Sequence, residues 1–363
     1  MAKVHDTKPA ADGFRMPGEH SPQDEVWMAW PERPDNWRDG ARPAQACFAA
    51  VAEAIVGVTP VTMAVSAGQY ATARSKLADA VRVVEMSTDD SWMRDIGPTF
   101  VVDGRGGRRG IQWEFNAWGG EVDGLYPSWD RDNTAAGKIC EMLRADSYRP
   151  GIVLEGGAIH TDGDGTVFTT EECLLHPSRN PSRTKDEIEE ILKAYLGVKK
   201  VIWLPQGLVG DETNGHVDNL MHVVRPGEVV LSWTDDADDL QHEACRRAFE
   251  VLTAATDAKG RRLMVHKIPL PGPLYMTADE AAGILASDGM NRAAGQRLAG
   301  SYANFLVTNG RIVLPLLDPA RDDAAREVLA AAFPGYEIVG VPAREILLGG
   351  GNIHCITQQV PAA

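Results

Sequence analysis

Four stretches of this 363-residue chain read as strand, tight turn, strand, and that repetition constrains the fold more than any other feature. Thr99 to Asp103 leads through a Gly/Arg loop to Ile111 to Phe115, and Ala158 to His160 turns at Asp162-Gly163-Asp164-Gly165 into Thr166 to Thr169. Met221 to Val224 turns at Arg225-Pro226-Gly227-Glu228 into Val229 to Trp233, and Ala303 to Thr308 turns at Asn309-Gly310 into Arg311 to Leu317. Glycine-bearing turns between apolar, β-branched runs are the local signal of a hairpin. Between the hairpins lie patterns of helical period: Gln45 to Val56, Gly137 to Arg144, Lys185 to Leu196, Asp239 to Thr256 and Pro319 to Phe333. Several carry acidic residues early and apolar residues three to four apart. A second repetition is local, since Leu-x-Gly-Gly-x-Ile-His occurs at 154–160 and again at 348–354.

A mixed repeat of about 60 to 80 residues predicts an α/β fold of repeated modules set in a ring, because radial repetition hides strand edges and leaves a central axis where modules meet. Chemistry is expected on that axis. A doubly wound dinucleotide-binding sheet is the rival, but hairpins outnumber strand-helix-strand crossovers and no Gly-x-Gly-x-x-Gly follows a strand. With no linker and no low-complexity tract, residues 1–363 read as one domain.

The 36 Lys plus Arg against 51 Asp plus Glu leave a net charge of −15, which argues against nucleic acid or anionic lipid as partner and favours a cationic one. Met1 to Ala11 is polar and lacks the apolar run of a secretory signal, and Ala44 to Val65 is broken by Gln45, Glu53 and Pro60. The expectation is a cytoplasmic protein, compatible with assembly into a homo-oligomer.

Five cysteines without a Cys-x-x-Cys pair are no disulfide framework. Cys47, Cys140, Cys173 and Cys245 read as small core residues. Cys355 differs: it follows Gly349-Gly350-Gly351-Asn352-Ile353-His354, where glycines allow close backbone approach to a bound group, and it is a candidate nucleophile if a histidine is near. His216-Val217-Asp218 offers one: on a strand both polar side chains would share a face. A solvated edge competes with that reading, as does a divalent metal site with Asp211, Glu212 and His222, although denser ligand spacing would be expected for zinc. Asp162-Gly163-Asp164-Gly165-Thr166 resembles the start of a calcium loop but has Cys173 where the closing Glu belongs, so it reads as a turn. Gly104 to Gly110 reads as a basic loop, since no Lys-Ser/Thr pair closes it as a phosphate cradle. Trp92, Trp113, Phe115 and Trp118 read mostly as core, with one or two free to line a pocket.

One Cys, one His and several carboxylates suit a guanidinium substrate, whose planar fork pairs with carboxylates and whose central carbon accepts a thiolate. Carboxylates near Cys355 would hold its thiol pKa up, and an arriving cation would lower it.

Five ordered motifs carry a resemblance over nearly the whole chain: Trp92-Met93-Arg94-Asp95, Phe115-Asn116-Ala117-Trp118-Gly119-Gly120, Leu154-Glu155-Gly156-Gly157, Thr169 to Leu175, and Asp211 to Asn219. Together with Phe14 to Pro17, Trp27 to Pro31 and Gly349 to Gln359, they resemble the agmatine deiminase family of the guanidine-modifying (pentein) superfamily. The resemblance implies a five-bladed α/β propeller of ββαβ-type modules around the active-site axis. It implies hydrolysis of agmatine to N-carbamoylputrescine and ammonia, in putrescine and polyamine formation, with neither metal nor organic cofactor. By motif, Cys355 would attack the guanidinium carbon, and His216 would protonate the departing ammonia and then activate water. Asp95 and Glu155 would hold guanidinium nitrogens, and Asp218 would do so or orient the site. Asn214, where the family often has Asp, and Met16 to His20, which the family usually writes with Ala and Trp at two places, depart from the pattern without touching those groups.

Agmatine ends in an ammonium where arginine has its carboxylate, so its far end should meet an aromatic wall and acid rather than an arginine. Trp92 and Glu212 are the candidates, against Trp92 as plain core and Glu212 as a solvent-facing acid. Deimination of free or peptidyl arginine and amidino transfer to an amine stay open as alternatives, and a non-catalytic polyamine-binding protein is the alternative of another class.

Overall fold

The computed structural model describes residues 2–287, 290 and 292–363. Among these, the strands form five small mixed sheets, each built on one pattern. Two strands pair antiparallel, the chain passes through a helix, and the next strand returns parallel to the second. His160–Thr161 and Thr166–Thr170 pair in this way, Lys185–Leu196 forms the helix, and Lys200–Leu204 returns beside 166–170. The pattern recurs with Met221–Arg225, Glu228–Trp233, His242–Ala254 and Met264–Pro269. It recurs again with Leu306–Thr308, Arg311–Leu316, Asp322–Ala332 and Glu337–Pro342.

A fourth copy uses Thr99–Val102, Arg108–Ile111, Asp130–Met142 and Ser147–Tyr148, to which the short Val4–His5 adds a parallel edge. The fifth is assembled from distant parts. Gln358–Pro361 pairs antiparallel with Gln23–Ala29, followed by helix Arg42–Val56, parallel Val61–Val65 and Arg82–Glu85. Hairpin logic could not find this pair, because no turn joins its strands.

The local chemistry explains the elements. Val61–Val65 and Thr166–Thr170 are buried along their whole length, so their β-branched runs need no polar alternation. Lys185–Leu196 starts at a reciprocal cap: Thr184 Oγ1 accepts from the Glu187 N–H, and Glu187 Oε2 accepts from the Thr184 N–H. It ends on Gly197 at φ 65°, the left-handed conformation glycine adopts without strain. Its buried stripe of Ile188, Leu192 and Leu196 covers its sheet.

Several predicted boundaries move, among them the strand read at Ala158 to His160, which lies at His160–Thr161 after the single turn Gly156–Ala158. The strand read at Ile111 to Phe115 lies at Arg108–Ile111, because past 111 the chain bonds instead to the next segment, Gln112 N to Tyr148 O and Glu114 N to Ile152 O. The helix read from Gly137 begins at Asp130, where Asp89 Oδ2 accepts from the Arg131 N–H.

Each antiparallel pair is preceded by a short turn. Met93–Ile96, Gly156–Ala158 and Val217–Leu220 are single turns of helix leading into 99, 160 and 221, while residues 302–303 and 353–356 turn before 306 and 358. These five turns deliver the polar side chains of the site.

Candidate active site

Cys355 lies in the last of the five turns and is 4% exposed. Asn304, from the preceding turn, holds it on two sides: Nδ2 is 3.2 Å from Sγ, and Oδ1 accepts from the N–H groups of His354 and Cys355 at 3.0 and 3.3 Å. Asp218 Oδ2 stands 3.7 Å from Sγ. Burial, then the charges of Asp218 and Asp95, push the thiol pKa well above its ordinary value, as the sequence predicts for a thiol among acids. Without a cation, Cys355 is a protonated thiol.

His216 is fully buried, with Nδ1 3.9 Å from Asp95 Oδ2 and Nε2 3.6 Å from Glu155 Oε2. Burial opposes its charge, but Asp95, Cys173 and Glu155 outweigh that and hold its pKa well above the ordinary imidazole value. The imidazolium can therefore give up a proton. Asp95 accepts from Trp118 Nε1 and the Gly157 N–H, both at 2.9 Å, and burial raises its pKa to about 6. Glu155 has Arg179 Nε 2.7 Å away, and both side chains are sealed from solvent. Burial raises Glu155, yet the Arg179 charge and His216 bring it below its usual value.

Gly157 makes this convergence possible. A Cβ there would sit 2.6 Å from His216 Nδ1, 2.9 Å from Asp95 Oδ1 and 3.0 Å from Asp218 Oδ2. Only a hydrogen fits between the three groups.

Behind Asp218 runs a buried chain of charges. Asp218 Oδ2 lies 2.8 Å from His354 Nδ1, and His354 Nε2 lies 2.8 Å from Glu19 Oε2. An imidazole that faces a carboxylate with each nitrogen donates from both when it is protonated. Burial and Arg94 disfavour that charge, but Glu19 and Asp218 outweigh them and raise the His354 pKa. Glu155 is thus matched by Arg179 and Asp218 by His354. Asp218 Oδ1 is nevertheless buried without a hydrogen-bond partner, whereas Glu155 is engaged by Arg179. A buried acceptor left open beside a thiol is suited to an N–H donor that arrives with a ligand.

A narrow pocket opens onto Cys355, walled by Trp92, Trp118, Gly350, Glu212 and Arg292. Trp92 is 4% exposed and anchored by Nε1 to Asp90 Oδ2, so it serves both as packing and as wall. Trp118 is the second pocket tryptophan, while Trp113 packs in the core. Glu212 does not face solvent freely. Arg292 Nη1 grips both its oxygens at 2.5 and 2.6 Å, and Arg292 Nη2 donates to Gly349 O. Trp92 and Glu212, the aromatic and acidic candidates, thus both line the pocket, with Arg292 paired to that acid.

The five proposed catalytic groups therefore converge, and the readings around them are refined. His216 and Asp218 are not on a strand; His216 is the extended residue preceding helix Val217–Leu220, and Asp218 sits in its first turn. The polar crowd from Asp211 to Asn219 closes into a turn, with Asp211 accepting from Thr213 and Asn219, which strand alternation cannot anticipate. Cys173 packs in the core as read, and it also lies with Glu155 and His216 in a group whose potential ligand atoms are all within 4.8 Å of one another. His222 stands apart from Asp211 and Glu212 and next to Glu19, so the metal site imagined among those three does not form.

Asn304, Glu19, His354, Arg179 and Arg292 are the site residues that sequence reasoning missed. His354 had a signal, its place in both copies of the Leu-x-Gly-Gly-x-Ile-His motif. Asn214, the departure from the family pattern, sits at φ 63°, where Asn is tolerated. It accepts from Arg179 and donates to Asp123 Oδ2 at 3.0 Å, a bond an Asp carboxylate could not donate.

Residues 15–361 match the Porphyromonas-type peptidyl-arginine deiminase family. A Photobacterium profundum protein provisionally named an agmatine deiminase is 61% identical over 361 residues, 99% of each chain. An agmatine deiminase of Pseudomonas aeruginosa (strain UCBPP-PA14) is 58% identical over 357 residues, covering 98% of this chain and 97% of that one. Among solved structures, the agmatine deiminase of Enterococcus faecalis is 48% identical and superposes with a TM-score of 0.97, covering all of both chains.

Proposed function

The chain belongs to the Porphyromonas-type peptidyl-arginine deiminase family and, within it, to the agmatine deiminases, and from that premise we propose how its residues hydrolyse agmatine to N-carbamoylputrescine and ammonia. The observation that carries the reading is the convergence of the Asp95, Asp218 and His216 side chains on Gly157, with Asp218 Oδ2 3.7 Å from the Cys355 thiol and Asp218 Oδ1 buried without a partner. Asp95, Glu155 and Asp218 take the guanidinium nitrogens. The arriving cation offsets their charge, so the thiol proton is released as the substrate enters. Cys355 Sγ then bonds to the guanidinium carbon.

His216 gives its proton to the departing nitrogen, the C–N bond breaks, and ammonia leaves an amidino group on sulfur. Neutral His216 next takes a proton from a water that attacks the same carbon. The C–S bond breaks, returning the thiol and releasing the carbamoyl product. Trp92 and Glu212 receive the far ammonium, with Arg292 yielding Glu212 to it.

The whole chain, 1–363, acts as one unit in this reading, its five modules forming a five-bladed propeller with the five turns at the axis. The reaction makes a carbamoylated diamine and so belongs to polyamine formation, in the cytoplasm. Kinetics with agmatine, arginine and an arginyl peptide test the substrate. Agmatine should give the highest kcat/KM, and preference for either arginine form would overturn the assignment.

A further inference from the structure

Three buried histidines lie behind the active site and take no direct part in the chemistry above. His160, His222 and His354 are 4%, 0% and 1% exposed, and their potential ligand atoms all lie within 4.8 Å of one another. Their ring centroids are 4.2, 5.4 and 5.4 Å apart. Imidazoles sharing one tetrahedral ion stand roughly 5 Å apart, given metal–nitrogen bonds of about 2 Å. Nε2 of His160 and both nitrogens of His222 have no hydrogen-bond partner. Orphaned nitrogens in the interior call for an occupant.

We propose that His160, His222 and His354 bind a transition-metal ion of the zinc class, with Glu19 as the fourth ligand. Such ions favour imidazole and carboxylate in tetrahedral array. Glu19 is already at hand, with Oε1 3.8 Å from His222 Nε2 and Oε2 2.8 Å from His354 Nε2. Ligation would put the ion in place of the proton between His354 Nε2 and Glu19 Oε2, which lie 2.8 Å apart. The outer partner is also built: His354 Nδ1 already faces Asp218 Oδ2, giving the carboxylate–histidine–metal arrangement that orients ligating imidazoles. Arg94, 3.7 Å from Glu19, opposes a dication and keeps the affinity moderate. A narrow cleft lined by Met16, Pro17, Glu19, His160 and His354 reaches the cluster. No step of the deimination passes through this ion.

Cobalt(II) tests the site, because its visible bands report tetrahedral coordination and its near-ultraviolet charge-transfer band reports thiolate. Added to the full-length Cys355→Ser chain, it should bind one per chain with tetrahedral bands and no thiolate band. His160→Gln and His222→Gln should each weaken binding by at least the roughly 10–100-fold that even an outer partner contributes. Both variants should keep parental ammonia release when made in the Cys355 chain. Absence of bound cobalt in the Cys355→Ser chain overturns the proposal without recourse to the histidine variants. So does a thiolate band, which would place the ion at Cys173 with Glu155 and His216, and so does undiminished binding in both folded variants.

Discussion

At the residue scale, the site is a problem of charge fitted into a space with no room to spare. Gly157 is its tightest point, and Gly157→Ala should lower kcat about 100-fold or more in a folded protein, since misplacement by an ångström suffices. Stopped assays alongside circular dichroism check this; near-normal kcat would show that the packing is looser. Asp95, raised to about 6, binds the cation only when ionised. Its carboxylate is present above that pH and lost below it, so kcat/KM for agmatine should fall as pH drops through about 6. A profile flat to pH 4.5 would contradict the role. Cys355, His216 and Asp218 were legible because their types and neighbours announce chemistry, while the roles of Asp95 and Glu155 came only with the motifs that carry the resemblance. Arg179 and Glu19 were not, because a buried counter-charge leaves no mark in its own local sequence.

At the element scale, most helices and hairpins follow from period and turn chemistry. Lys185–Leu196 lies where its pattern predicts, with cap, stripe and terminal glycine in agreement. Thr184→Ala should cost about 1 kcal/mol in a denaturant titration, leaving kcat/KM unchanged. A change in activity would mean that this helix transmits to the site. In the segment 211–219 the strand considered for His216 to Asp218 does not form, and the side-chain bonds that Asp211 accepts from Thr213 and Asn219 close a turn.

At the scale of the whole molecule, the four visible hairpins foretold a repeating fold, while the fifth sheet stayed hidden because it joins Gln358–Pro361 to Gln23–Ala29 across the length of the chain. The repeat also explains the histidines: the two motif copies end on His160 and His354, whose rings meet 5.4 Å apart. The net charge of −15 gives the surface a negative field, but the acids that matter for a cationic substrate are the few buried around Cys355. No described helix is long and apolar enough to cross a membrane.

The account stands or falls on covalent catalysis by Cys355. The direct measurement is the intact mass of the protein quenched in acid during turnover of agmatine, followed by peptide mapping. We predict a gain equal to agmatine less ammonia, localised to Cys355 and missing from Cys355→Ser, which should also lose ammonia release by about 10,000-fold or more. An unmodified Cys355 under turnover together with a Cys355→Ser variant that still releases ammonia at the parental rate would contradict it.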